Sequence, residues 1–502
     1  MRTTVAVVLG LATGIFAFAA GTGLTGSWLA ATLIGGSAAS LVGILVHRGR
    51  IVVLDEAAAP RGLRIVSGLA AVLALVVLGR LAVFMVDPAQ VAYSFVPSSN
   101  WELRHSCLSA YFVAAEAAGT APNIYADSLY TMPGDDPTKL RNPKKLGLFN
   151  IDVFEYPPPF LLLPRALRAV APDFTRHRAL WFGLNGAIVL IGLLAVARFM
   201  GPTAGTRALL LSPLVLAAFP TLSTLQKGNV QAVVIAASIL AMLLFERGRP
   251  AAGGALLAFV TASKLYPGLL IVYLIVRRQW RALGWTIAFG LAFVLLSIVD
   301  MGWAPYVAFL SHLPGLVGGE AFPAFRNPGA IAINFSVPGL VFKLKLFGLA
   351  GMGFGAAKIV GWIYTLVALA ATVAAGRRTF SDVEKPIVWM AILILATLRS
   401  PFLPQAYAVF PPLWLLTLLA ALYAPTRKVL AVVLLAWAAM DFYWPMDWPM
   451  DPRLLAIIIT VVPQSLTVAL AIFALRRRRD PEPAPAEERA ALTGPVSAAA
   501  GS

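Results

Sequence analysis

Cysteine is almost missing from this chain. Cys107 is the only one, and on that count neither a disulfide framework nor any cysteine-based metal site is expected. Histidine is nearly as scarce. His47, His105, His177 and His312 are scattered, without the spacing that a zinc site needs. No glycine-rich nucleotide loop is evident: GMGFG at 351–355 has no strand before it and reads as membrane-helix packing. Asp135-Asp136 lies in a Pro-flanked turn, a common place for Asp, and not in a metal-binding acid motif. These absences point away from soluble nucleotide-sugar donors and redox cofactors. No metal and no cofactor are expected.

Charge is the other scarcity. Only 13% of the 502 residues are charged while 59% are hydrophobic, the composition of a polytopic membrane protein. The net charge of +17 does not indicate nucleic acid, because the basic residues sit in short clusters between apolar runs. HRGR at 47–50, ERGR at 246–249, RRQWR at 277–281 and RRRR at 476–479 are such clusters. They form a positive-inside pattern and assign a multi-pass orientation in the cytoplasmic membrane.

In that frame the fold class is an all-α membrane protein with about twelve full crossings, each of about 20 apolar residues. The first apolar run, to about Ala20, is read as a membrane helix and not a signal peptide, because a second run follows at once. Residues 87–159 form a large loop on the extracytoplasmic side, rich in acids, aromatics and prolines. The segment after Pro159 is too short and too basic to span, and belongs at the interface. Further spans are expected at about 179–199, 206–222, 230–245, 282–299, 356–375, 386–398, 406–423, 429–443 and 454–475. Residues 1–475 make one integral membrane domain, and 476–502 a polar, Pro/Ala-rich tail expected to be disordered in the cytoplasm.

The interval 251–276 breaks the alternation. It is one apolar run flanked at both ends by basic clusters, so a single crossing would put one cluster on the wrong side. A hairpin of two half-length helices resolves this, with Ser263-Lys-Leu-Tyr-Pro at its tip. Proline and lysine at such a tip imply broken backbone facing protein or a wet cavity.

Polar residues at the membrane edges carry the candidate chemistry. Glu102 and His105 are three apart, and would share a face if helical. Such a pair can take a proton from an acceptor hydroxyl, although a local ion pair to Arg104 explains Glu102 equally well. Asp152, Glu155 and Tyr156 precede a rigid proline turn, where they either bind substrate or anchor the interface. Lys264, at membrane depth, is a candidate for phosphate binding, against snorkelling. Arg326 and Arg399 head outer loops and are second cations for a phosphate. Trp101, Tyr111, Gln226, Asn229, Tyr266 and Asn327 complete the substrate-binding candidates, with helix capping the plain alternative for Asn229.

Asn123-Ile-Tyr, Phe154-Glu-Tyr-Pro-Pro-Pro-Phe-Leu-Leu-Leu-Pro, Leu225-Gln-Lys-Gly-Asn-Val-Gln and Ala262-Ser-Lys-Leu-Tyr-Pro followed by Arg277-Arg-Gln-Trp resemble glycosyltransferase family 87. This family contains polyprenyl-phosphate-mannose-dependent mannosyltransferases with the GT-C membrane fold. The resemblance covers roughly residues 100–290. It implies a polyprenyl-phosphate sugar donor (mannose or a related hexose or pentose), a glycan or glycolipid acceptor reached from the outer face, membrane lipid around the site, and no nucleotide, metal or nucleic acid. The best-understood members use an aspartate of the first large outer loop as base. Here the segment before Tyr111 has Glu102, His105 and Cys107 instead. Glu102 is the first choice for the base, with His105 and Glu155 next. A lipid or sugar transporter, and a non-catalytic assembly protein of the same fold, are the alternative classes.

Overall fold

Two apolar runs at the N-terminus fold back on each other as helices Arg2–Thr25 and Trp28–His47. Gly26 turns the chain at φ 66°, and Ser27 Oγ caps the second helix by accepting from Ala30 N at 3.3 Å. The computed structural model describes residues 1–134 and 142–477. Asp135-Asp136 and nearly all of the tail expected to be disordered lie outside the described residues.

Among the described residues, seven helices are long and apolar enough to cross a membrane. They are the two above with Arg61–Val86, Phe174–Phe199, Trp280–Met301, Phe354–Gly376 and Pro452–Arg476. Leu291, Leu295, Val299 and Leu366 are exposed on two of them, an outer surface suited to hydrocarbon and not to water. The spans expected at 230–245, 386–398 and 429–443 form helices Gln231–Glu246, Lys385–Thr397 and Arg427–Met440, of 16, 13 and 14 residues. The count by length and composition is therefore seven, or eight if one bent pair is a single span, against about twelve expected. The chain is a helical membrane protein whose interior elements are shorter than a full span.

The bent pair is Gly201–Ala217 and Phe219–Lys227, which meet at 57°. Pro220 opens the second helix and Lys227 closes it, its positive charge suited to a helix C-terminus. The turn after it needs Gly228. Its φ is 70°, and a Cβ there would lie 2.6 Å from Leu108 Cβ.

The interval 251–276 breaks at Lys264–Pro267 into helices Pro250–Ser263 and Gly268–Val276. Helix Pro250–Ser263 runs parallel to Trp280–Met301. Gly254 meets Trp285 near one end, at 2.7 Å from the position of a Cβ, and Phe259 meets Phe293 further along, with ring centroids 5.7 Å apart. The intervening helix must therefore return toward its starting side. Its basic end agrees: Arg277 donates to the Arg378 carbonyl at 3.2 Å, beside the Lys385–Glu246 pair at 2.6 Å.

The described residues of the segment 87–159 depart from a purely helical fold. His105–Ser106, Lys145–Leu146 and Phe149–Ile151 form a three-stranded sheet in the order first, third, second. The first strand pairs parallel with the third, His105 opposite Asn150 and Ser106 opposite Ile151. Between them runs a buried helix, Cys107–Ala117, that composition concealed inside a polar loop. Glu102 lies in a short helix, Asn100–Arg104, that ends just before the strand at His105, so the expectation that Glu102 and His105 share a helical face is corrected. The segment after Pro159 forms a short helix, Leu162–Val170.

With Cys107 replaced, cysteine probes at Arg247 and Arg281 should react with an impermeant reagent from the same side, and a probe at Ser128 from the opposite side. Labelling of Arg247 and Arg281 from opposite faces would contradict the returning helix.

Candidate active site

Segments far apart in sequence surround one cavity of about 760 Å³. The Asn100–Arg104 helix and first strand supply Trp101, Glu102 and His105, and the third strand with its extension supplies Asn150, Asp152, Glu155 and Tyr156. Lys227, Asn229 and Gln231 come from the broken helix and its turn, and Lys264 and Tyr266 from the hairpin tip. The C-terminal half adds Arg399, Tyr407 and Tyr443. The wall near the tip is apolar, with Leu265, Leu269, Leu313, Trp362 and Leu369.

Glu102 is fully buried, and its partners come from three directions. Lys227 Nζ donates to Oε1 at 2.8 Å, and the Tyr443 hydroxyl donates to the same oxygen. Gln226 Nε2 donates to the Glu102 carbonyl at 2.8 Å. The local turn is half of a capping box: Ser99 Oγ accepts from Glu102 N at 3.1 Å and itself donates to Asp447 at 2.5 Å. The ion pair expected with Arg104 is thus replaced by one with Lys227, whose charge offsets the desolvation of the carboxylate. Burial and the adjacent carboxylate hold the Tyr443 phenol well above its ordinary pKa, so it acts as a donor. The second oxygen, Oε2, has no hydrogen-bond partner among the described residues.

Two more buried polar atoms of the cavity lining share that condition, Gln231 Nε2 and the Tyr266 hydroxyl. Buried polar groups are normally paired. Three without partners on one cavity mark a surface prepared for a polar ligand.

Lys264 is half-buried at the tip. It donates to Gln231 Oε1 at 3.0 Å and lies 5.5 Å from the centre of the Tyr156 ring. Tyr156 is in turn fixed by the Tyr111 hydroxyl at 2.7 Å. Arg399 donates to Thr365 Oγ1 at 2.6 Å and sits over Trp362. Three expected site residues, Arg326, Asn327 and Gln226, do not line the cavity. Arg326 is exposed, and Asn327 caps a short helix by accepting from Ala330 N. Gln226 lies behind Glu102 as a support. Asn229 accepts from Gln231 N and also donates to Cys107 Sγ at 3.4 Å, so capping and the cavity wall share it.

The expectation of no metal-binding cluster is corrected as geometry. His105 Nε2 lies 3.7 Å from Asp152 Oδ2 and 3.7 Å from Cys107 Sγ, and all three ligand atoms fall within 4.8 Å of one another.

A family model, glycosyltransferase family 87, matches residues 154–357. That match supports membership of family 87. Family 87 indicates a glycosyltransferase, and the matched stretch holds Glu155, Tyr156, Lys227, Gln231, Lys264 and Tyr266. Trp101, Glu102, His105, Cys107 and Asp152 precede it, and Arg399, Tyr407 and Tyr443 follow it. No curated protein and no solved structure matches the chain.

Sequence reading missed Tyr407, Tyr443, Asp447 and Gln231. The signal for two of them was present in the Tyr- and Trp-rich segment 441–448, but no spacing links it to a residue some 340 positions earlier. Lys227 was legible in the sequence only as part of a cap at a helix start, whereas it ends helix Phe219–Lys227.

Breaking the buried Glu102–Lys227 pair from one side should cost about 3–5 kcal/mol, because a charge is left buried and alone. Lys227→Met should lower the thermal unfolding midpoint in detergent, and Glu102→Gln with Lys227→Met together should recover much of the loss. Equal midpoints for Lys227→Met and the unmodified protein would show that the pair carries no such energy.

Proposed function

We propose that this protein transfers a sugar, mannose or a related hexose or pentose, from a polyprenyl phosphate to a glycan or glycolipid at the outer face of the cytoplasmic membrane. The observation that carries the reading is a single cavity that combines a lysine at a broken hairpin tip, unpartnered buried polar atoms and an apolar wall. A lipid-borne phosphosugar has the same three chemistries.

In this reading the prenyl tail lies against Leu265, Leu269, Trp362 and Leu369. Lys264 and Arg399 hold the phosphate. Trp101 and Tyr266 receive the sugar, and Glu155 contacts a hydroxyl of the substrates. The acceptor hydroxyl gives its proton to Glu102 Oε2 while its oxygen attacks the anomeric carbon. The carbon–oxygen bond to phosphate breaks, and its electron pair leaves with the phosphate, which the two cations stabilise. Lys227 and Tyr443 engage Oε1 and leave Oε2 to accept the proton.

The test is transfer of labelled sugar from polyprenyl phosphate by purified protein. Glu102→Gln should reduce transfer by about 100- to 10,000-fold with donor binding intact. If Glu155→Gln abolishes transfer and Glu102→Gln does not, the base is Glu155. If neither matters, the chain is a non-catalytic member of its fold.

Lys264→Gln should weaken binding of polyprenyl phosphate, and Lys264→Arg should retain more of it, since charge survives while geometry changes. Unchanged affinity in the Gln variant would reduce Lys264 to a snorkelling residue.

A further inference from the structure

We infer that His105, Cys107 and Asp152 bind a single divalent cation of the zinc class, on the wall of the cavity. The local fold builds this donor set. His105 and Cys107 are two apart where a strand gives way to a helix, and side chains two apart on extended chain share a face. The parallel register sets His105 opposite Asn150 and Ser106 opposite Ile151, which brings Asp152 alongside Cys107. The three ligand atoms converge within 4.8 Å, with both distances from His105 Nε2 at 3.7 Å. Ligands about 2.0–2.3 Å from a tetrahedral ion lie roughly 3.3–3.8 Å apart, so the two separations from His105 fit as they stand and the third closes on binding.

The surroundings fit a metal centre as well. Asn229 Nδ2 and the Tyr407 hydroxyl lie 3.4 and 3.3 Å from Cys107 Sγ, suited to donate to a thiolate. Asp152 Oδ1 accepts from Val153 N at 2.9 Å, and Oδ2 lies 3.7 Å from His105 Nε2. The imidazole is stacked on Trp101 with centroids 4.6 Å apart, so its orientation is fixed. Ser109 Oγ accepts from Asp152 N and donates to the Ser106 carbonyl, tying the two ligand-bearing segments together.

The donor types select the ion. One sulfur, one nitrogen and one oxygen suit zinc, whereas magnesium and calcium favour oxygen alone. A thiolate and a carboxylate neutralise a dication, so the loaded site carries no net charge in a poorly solvated wall. Three protein ligands that all line the cavity leave a fourth position for water or a substrate oxygen. Glu102, whose Oε2 is buried without a partner among the described residues, belongs to the lining of the same cavity.

The experiment uses the full chain in detergent, freed of any polyhistidine tag and stripped with a chelator. Zinc added back should bind at about one equivalent per chain. Cobalt should produce a thiolate-to-metal charge-transfer band, and since Cys107 is the only cysteine that band can arise nowhere else. Cys107→Ala should abolish the band, and Asp152→Asn should weaken zinc binding by about 10-fold or more. Zinc should also slow alkylation of Cys107 in the unmodified protein, a readout that needs no variant to fold. A missing cobalt band, or zinc stoichiometry unchanged in folded Cys107→Ala, overturns the site. Loss of sugar transfer with the metal site intact would bear on the proposed reaction alone.

Discussion

A carboxylate with no exposure to water, held by a lysine from a different part of the chain, is the interaction on which the rest of this site depends. Glu102 and Lys227 are each affordable in the interior only together. Their contact fixes the short helix after the third long span against the end of the bent helix pair, and Tyr443 ties in the C-terminal region through the same oxygen. Three segments that share no sequence proximity are thereby registered at one point. The strand at His105 starts directly beyond that point, so the sheet inherits its placement from the ion pair.

A second constraint acts from the membrane side. Backbone at hydrocarbon depth must satisfy its own hydrogen bonds, so a helix is broken only where protein or a cavity can receive the freed groups. Both marked breaks here, at Ala218 and at Lys264–Pro267, lead to the cavity. The first delivers Lys227, Asn229 and Gln231, and the second delivers Lys264 and Tyr266. Short helices and bends are thus how the fold brings polar side chains to a site that long straight spans would pass by. This also explains why the number of full-length spans is lower than hydropathy implies: helices such as Gln231–Glu246 and Lys385–Thr397 are enclosed by others and need not match the thickness of the bilayer.

Family 87 and the cavity meet in one respect. The matched stretch supplies the lysines and the broken elements, while most of the acids on the wall lie before it. The lysine-bearing part and most of the acid-bearing part of the wall are therefore contributed by different parts of the chain, joined by the ion pair of Lys227 with Glu102.

The division between sequence and tertiary structure follows from the range of the forces involved. Hydropathy and basic clusters are local, and they determined the helical membrane class, the main spans and the returning segment at 251–276. Proline and lysine inside an apolar run marked its tip for the same reason. Composition failed where burial is decided by neighbours far away. Cys107–Ala117 is a core helix inside a polar loop, Arg326 turns out exposed, and the partner of Glu102 is Lys227 and not Arg104. The grouping of His105, Cys107 and Asp152 required parallel pairing across 45 residues, and no motif spacing encodes such a pairing. Local chemistry determined which segments enter the membrane; only the packed structure decided which polar groups share a cavity, because a buried charge finds its partner in space and not along the chain.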